Sequence, residues 1–464
     1  MTTLTARLKK TFPHYENGLL IVIFFYFLLR LVFYSFSIVP DISPDEMDHV
    51  RRGFAYFQQN SIILPDTPET YRWELDSSFP FLYHLLLGKL YYLNFFHIPK
   101  ILYFRFINMV CSIFTAAYGY RLMKLVTRDT GVSLLGLIVL TNIPMFSFLS
   151  SFVSYDNFCN LLSVLSIYNL FLFLKRRNLN NIFYFLIYAL LGSLTKVSFL
   201  PLFCILFLIA LFEIIKNGAH KDMVKQSTNV FKKPSTTIGI TLVLILSVVT
   251  IWFYASNMKQ YGALQPGCTQ VLSYEHCLER PAFQAHIRYH QQFRQIDPSR
   301  LLTPYDFIFP WLNTALRGTF GIFGHRLMFR STSELLPYYL LIVLFLVLFI
   351  RYFKFSDNKL LSYFVLIIGF YMAFLFFKFS YPTYRQIGII EGSIHGRYLF
   401  PVIIPIVTLL VQTICLYTKK IPQWIIFLVI ATVFVWGDLP YFVKKADKTW
   451  YCDTNLINCF SIRP

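Results

Sequence analysis

Apolar run follows apolar run along this chain, most of them close to the length that crosses a bilayer. A helix needs about 20 mostly apolar residues to span the hydrocarbon core. Runs at or near that length lie at residues 18–39, 101–123, 132–152, 156–174, 181–195, 197–215, 236–257, 336–352, 360–380, 398–418 and 422–437. In lipid each segment must satisfy its own backbone, so repeated runs of this kind select a helical bundle. The expected fold is an all-α integral membrane protein with about eleven transmembrane helices. Composition agrees: 56% of the 464 residues are hydrophobic and 14% are charged, against about a quarter charged in soluble domains. The first run follows Arg7, Lys9 and Lys10 but is longer than a signal-peptide core, carries Arg30 and ends in SIVPDIS, so it reads as a retained helix.

The net charge of +19 would suggest nucleic acid in a soluble domain. Here the basic residues sit in alternate loops: Arg7/Lys9/Lys10, Arg121/Lys124/Arg128, Lys175/Arg176/Arg177, the lysines from Lys216 to Lys233, Arg351/Lys354/Lys359 and Lys419/Lys420. That pattern marks the cytoplasmic side of a membrane protein, with lipids and not nucleic acid as the partner. The N-terminus is then cytoplasmic and the C-terminus external. Cysteine usage fits this thread. Cys268 and Cys277 fall in an external loop, 258–335, and Cys452 and Cys459 in the external tail, where disulfides persist. Sequence does not choose among the three pairings of four cysteines, and a zinc site at Cys268, His276 and Cys277 is an alternative. Residues 1–437 form the transmembrane domain and 438–464 a tail pinned by disulfide. The segment 79–96 is apolar but holds His84, Lys89 and tyrosines, as an interfacial or re-entrant helix would. The stretch AFQAHIRYHQQFRQ in the long loop reads as a polar helix.

Loop 40–78 is the exception to this economy of charge. It holds Asp41, Asp45, Glu46, Asp48, Asp66, Glu69, Glu74 and Asp76, eight of the 23 acids, opposed by Arg51, Arg52 and Arg72. Ser43-Pro44-Asp45-Glu46 has the form of a capping box with proline in the first turn, which would start a helix over 44–59. On that helix Asp45, Asp48, His49 and Arg52 would share a face. A cap accounts for Glu46 but not for Asp41, Asp48 and His49.

An Asp-Glu pair in the first external loop resembles the GT-C glycosyltransferases, which include protein O-mannosyltransferases and aminoarabinose transferases. Other segments resemble that superfamily in the same order: Phe79-Pro80-Phe81-Leu82-Tyr83, Arg105-Phe106-Ile107-Asn108, Ser154-Tyr155-Asp156 and Leu194-Thr195-Lys196. Gly318-Thr319-Phe320-Gly321-Ile322-Phe323-Gly324 and His395-Gly396-Arg397-Tyr398-Leu399-Phe400-Pro401 are similar to a subset of bacterial GT-C-like membrane proteins, which also pair Pro-Asp-Glu with a following histidine.

The resemblance implies a polyprenyl-phosphate sugar as donor and an envelope glycan, lipid or protein as acceptor, in a bacterial inner membrane with the site facing the periplasm. Transfer needs a base to take the acceptor proton and cations to hold the departing lipid phosphate. Asp45 is the first candidate base and Glu46 the second. Arg397 and Lys196, at external helix ends, are the candidate cations. Asp41, Asp48, His49, Arg52, Asp156, His395 and Tyr398 are candidate substrate contacts. No cofactor is expected, although Asp45 and Asp156 could together hold a divalent cation. Two other functions fit a polytopic chain: a transporter or flippase of lipid-linked saccharide, for which repeats and mid-membrane charges would be expected, and a non-catalytic scaffold, which has no need of clustered acids at a helix end.

Overall fold

The computed structural model describes residues 15–40, 42–59, 67, 70, 78–216, 234–280, 283–284, 287–288, 291, 301–321, 331–356, 358–418, 421–452 and 459–460. Asp41 and most of AFQAHIRYHQQFRQ lie outside the described residues.

The chain is a helical, multi-pass membrane protein. Its first half runs α1 (Tyr15–Ser37), α2 (Glu46–Gln59), α3 (Leu82–Tyr91), α4 (Lys100–Thr127), α5 (Thr130–Thr141), α6 (Pro144–Leu149), α7 (Tyr155–Arg176), α8 (Leu179–Thr195) and α9 (Leu200–Lys216). The second half runs α10 (Pro234–Tyr261), α11 (Cys268–Val271), α12 (Tyr274–Leu278), α13 (Pro304–Phe320), α14 (Thr332–Tyr352), α15 (Lys359–Phe374), α16 (Tyr381–Ile387), α17 (Ile403–Tyr417), α18 (Gln423–Trp436) and α19 (Leu439–Lys445). A π-helical turn, Leu375–Ser380, joins α15 to α16, and a 3-10 segment, Gly396–Val402, leads into α17.

Among the described residues nine helical stretches are long and apolar enough to cross a membrane, and two further apolar helices, α5 and α8, are shorter. The expected run 132–152 is not one helix. Pro144 has no N–H to donate and crowds the preceding turn, so Ile143 is extended (φ −69°, ψ 118°) and the chain restarts as α6. That break lets Phe146, Phe148 and Phe152 fill the bundle interior.

The two ends of the bundle differ in chemistry. At one, the basic interhelical segments meet: Lys124 pairs with Glu16, Lys359 reaches buried Glu213 at 2.6 Å and Arg177 reaches it at 3.7 Å. At the other, the C-terminal segment returns to the end of α1, where the Val39 N–H donates to Trp450 O at 2.9 Å and the Cys452 N–H to Ser37 O at 2.8 Å. Arg30, inside α1, lies fully buried, paired with Asp438 and donating to Asn142 Oδ1 at 2.9 Å. A charge at that depth is held by a partner, not by water.

Helices α2 and α3 pack as a juxtamembrane pair. A Cβ on Gly88 would lie 2.7 Å from Gly53 O and 2.8 Å from Phe57 N, so this approach requires glycine. The pair lies against α4 and brings the start of α2 to the bundle end.

Candidate active site

The turn before α2 is not a capping box. Helix begins at Glu46, and its carboxylate turns inward, where Arg105 Nε and Nη2 donate to it at 2.8 and 2.7 Å and the Val153 N–H at 3.2 Å. Ser43 Oγ is buried without a hydrogen-bond partner. Arg105, also fully buried, donates through Nη1 to Ser35 O at 2.6 Å and Ile38 O at 3.0 Å. Glu46 thus staples the first loop to the ends of α1, α4 and the segment before α7. A two-pronged pair whose third guanidinium nitrogen donates to two carbonyls is the geometry that makes a buried charge tolerable.

Asp45 takes the opposite direction. It precedes the helix in the left-handed region, φ 61°, which Asp tolerates better than most residues. It therefore does not continue the helical face expected for Asp45, Asp48, His49 and Arg52. Its side chain is 40% exposed and accepts from Arg397 Nη2 at 2.7 Å. Arg397 comes from the 3-10 segment before α17, 352 residues later. Its Nε lies 3.9 Å from Asp156 Oδ2, and Asp156 Oδ1 accepts from Lys196 Nζ at 2.6 Å. The four side chains make a chain of alternating charge, Asp45–Arg397–Asp156–Lys196.

Local structure explains each position. Ser154 caps α7 by accepting the Asp156 N–H at 3.2 Å, which sets Asp156 in the first turn. Lys196 is extended between α8 and the next 3-10 turn, so its ammonium leaves the helix axis. It lies over the rings of Tyr155 (4.5 Å) and Tyr398 (5.2 Å), a cation–π cradle. Lys196, Tyr155 and Tyr398 line a cavity of about 270 Å³, with Phe79, Pro80 and Gln265 from the loops and Leu375 and Phe379 from the π-helical turn.

His49 and His84 form a second feature beside this chain. His49 Nδ1 lies 3.0 Å from His84 Nε2, and His49 packs edge-on to Tyr155 at 4.6 Å. Burial first, and the Arg52 cation next, hold His49 well below the ordinary histidine range, with Asp45 opposing. Burial first, then His49 and Arg52, lower His84 likewise.

Of the remaining candidates, Arg52 is buried with its guanidinium 4.8 Å over Phe79, and His395 packs edge-on to Tyr398 at 5.3 Å. Asp48 reaches Arg51 at 3.6 Å, outside the charge chain. Cys268 is joined to Cys277 and Cys452 to Cys459. The first bond consumes both thiols of the alternative zinc site, and His276 instead meets Ser273 Oγ at 3.0 Å. Among the described residues no three His, Cys, Asp or Glu side chains group as metal ligands would.

Sequence reading left Arg105 and Asn108 without roles and His84 unexamined as a partner. Asn108 Oδ1 accepts from Tyr83 Oη at 3.0 Å, Asn157 Nδ2 at 3.2 Å and the Ser154 N–H at 3.3 Å, tying α3, α4 and α7 together beneath Asp156. The available signal was an ionisable or amide side chain inside an apolar run.

No family model matches the sequence, and no curated protein matches it. Among solved structures, ArnT from Cupriavidus metallidurans in the apo state is similar at TM-score 0.49 and 13% identity, over 88% of this chain and 62% of that one. The same protein bound to undecaprenyl phosphate is similar at TM-score 0.47 and 12% identity, over 89% and 62%. The chain thus spans less than two thirds of the length of either structure.

Proposed function

We propose that this chain is an inverting glycosyltransferase that moves a sugar from a polyprenyl-phosphate donor to an envelope glycan, lipid or protein. The observation carrying the reading is that Asp45–Arg397 and Asp156–Lys196 join in one chain of alternating charge, with Arg397 between the two acids and Lys196 at its end lining the cavity. The order of resembling motifs along the sequence supports it independently.

In the proposed reaction the donor's phosphate enters the cavity and is met by the Lys196 ammonium and the Arg397 guanidinium. Arg397 then turns from Asp45 toward the phosphate. Losing that cation raises the proton affinity of Asp45. Its carboxylate takes the proton of the acceptor hydroxyl or amine as the acceptor attacks the anomeric carbon from the face opposite the phosphate. The bond from the anomeric carbon to the phosphate oxygen breaks, its electron pair leaves with the lipid phosphate, and the two cations hold the added charge. A phosphate leaves without a general acid. Glu46, the second candidate base, is assigned to holding the turn that aims Asp45, because its oxygens are engaged by Arg105 and Val153.

The proposed setting is a bacterial plasma membrane with the N-terminus cytoplasmic, the C-terminus outside and the site on the external face. The disulfides lie in segments belonging to the site end, and the described basic residues Lys124, Arg177 and Lys359 lie at the other, the distribution expected for that orientation. The transporter reading is less favoured because Arg30, inside the first span, is locked to Asp438, and neither lines the cavity beside Lys196.

The test is transfer in membranes from a panel of radiolabelled polyprenyl-phosphate sugars, comparing wild type with Asp45→Asn. Transfer by wild type that is lost in the variant, at equal expression, is expected and names the sugar. Equal transfer by both removes Asp45 as base.

A further inference from the structure

Two of the sequence motifs, the glycine-rich end of α13 and the His-Gly-Arg segment, meet backbone to backbone. A Cβ on Gly396 would lie 2.2 Å from Gly318 C, 2.3 Å from Thr319 N and 2.6 Å from Gly318 O. A Cβ on Gly318 would lie 2.6 Å from Gly396 N and 3.1 Å from its Cα. The obstructing atoms are main chain on both sides, so no side-chain rotation makes room. Gly318 and Thr319 are buried at the last turn of α13, and Gly396 is buried at the peptide that precedes Arg397. On the far side of that peptide His395 packs against Tyr398, whose ring lines the cavity.

We propose that Gly318 and Gly396 form a seat that fixes the Arg397 backbone, the pivot from which its guanidinium reaches both Asp45 and the lipid phosphate, making both glycines positioning residues for that phosphate. The inference rests on the reading of Arg397 as a phosphate-holding cation. Helix α13 is held on the bundle near its start by stacking of Phe307 on Tyr384 at 4.5 Å and in its last turn by stacking of Phe320 on Tyr338 at 4.8 Å, so its end is a fixed stop. Arg397 must meet Asp45 at 2.7 Å while staying 3.9 Å from Asp156, and a backbone shift of about 1 Å is enough to spoil such alignment, at a cost on the order of a hundredfold. A side chain at either glycine pushes the Arg397 peptide off its stop. This gives the loop 258–335 a part in the site through its backbone, beside the Gln265 side chain that lines the cavity.

The experiment measures binding of polyprenyl phosphate to the purified full chain in detergent, and transfer alongside it. The variants are Gly396→Ala, Gly318→Ala, Arg397→Gln and the double Gly396→Ala/Arg397→Gln. Gly369→Ala, where an added Cβ meets nothing within 4 Å, is the control. The expected result is that either seat variant weakens binding by roughly ten- to a hundredfold, and that Gly396→Ala adds little once Arg397 is gone, because the glycine acts through the arginine. Equal losses in both backgrounds would mean a general structural role and overturn the proposal, as would wild-type-like binding by both seat variants. Should Gly396→Ala fail to fold, Gly318→Ala, which intrudes less, is combined with Arg397→Gln in its place. Binding that follows this pattern with no transfer from any donor would keep the seat and discard the transferase reading. Transfer with additive binding losses would do the reverse. No binding of polyprenyl phosphate by wild type would overturn the seat as a device for that ligand.

Discussion

Asp45 and Glu46 are neighbours in sequence and opposites in environment. Glu46 is fully buried and bridged by Arg105, while Asp45 is 40% exposed and accepts from Arg397. The same reagent, amide for carboxylate, should therefore do different things. Asp45→Asn keeps the left-handed backbone, which Asn also tolerates, so the folded protein should be recovered at wild-type yield while transfer falls by about 10²–10⁴. Glu46→Gln leaves Arg105 charged and buried without its counter-ion, a change worth about 3–5 kcal/mol. It should lose thermal stability in detergent and folded yield before any loss of rate per folded molecule. Yield, unfolding temperature and specific transfer of both variants check this, and the reverse pattern would exchange their roles. The sequence made both acids stand out by concentration. It did not separate structure from chemistry, because Arg105, which decides the matter, lies 59 residues away from Glu46.

At the scale of elements, the juxtamembrane pair α2–α3 carries a pH dependence that single residues do not suggest. His49 sits on α2 and His84 on α3, 3.0 Å apart, and both are held well below the ordinary histidine range, chiefly by burial. The charged groups bearing on them are Arg52, Asp45, Arg397 and Lys196. Below about pH 6.5 the unfolded chain takes up protons that the folded pair refuses. Their contribution to stability is complete above that pH and is lost as pH falls, by up to about 1.4 kcal/mol per pH unit for each histidine. The unfolding temperature of wild type should thus be flat from pH 8 to 7 and decline toward pH 5. The decline should be shallower in His84→Gln, and an unchanged slope would assign it to other groups. His49 was visible from its place after Pro-Asp-Glu, though the helical face proposed for it failed at Asp45. His84 was not legible as its partner, since the contact depends on the glycine approach of Gly53 and Gly88. The break at Pro144 was written in the sequence but hidden by the apolar residues on both sides of it.

For the whole molecule, the apolar runs and the alternation of basic loops already separated the bundle's two ends, because lipid imposes helix on every run and charge bias needs no knowledge of packing. What they did not give was closure: how the first span finds the last. That rests on Arg30 of α1 and Asp438 at the junction of α18 and α19, 408 residues apart, with Ser147 Oγ donating to Asp438 at 2.7 Å and Tyr34 Oη at 3.3 Å. A buried ion pair adds little net stability over apolar groups of similar volume, but breaking one partner strands the other. Arg30→Met or Asp438→Leu alone should each destabilise the protein by about 3–5 kcal/mol, read as a loss of unfolding temperature and of folded yield. The double variant should recover more than half of that loss, because neither charge remains. Since this link is remote from the Asp45–Arg397 pair, specific transfer per folded molecule should stay near wild type in the double variant. Additive losses would mean that Arg30 and Asp438 stabilise through separate partners, and the first and last spans would then be closed by the Tyr34, Phe148 and Phe442 ring cluster instead.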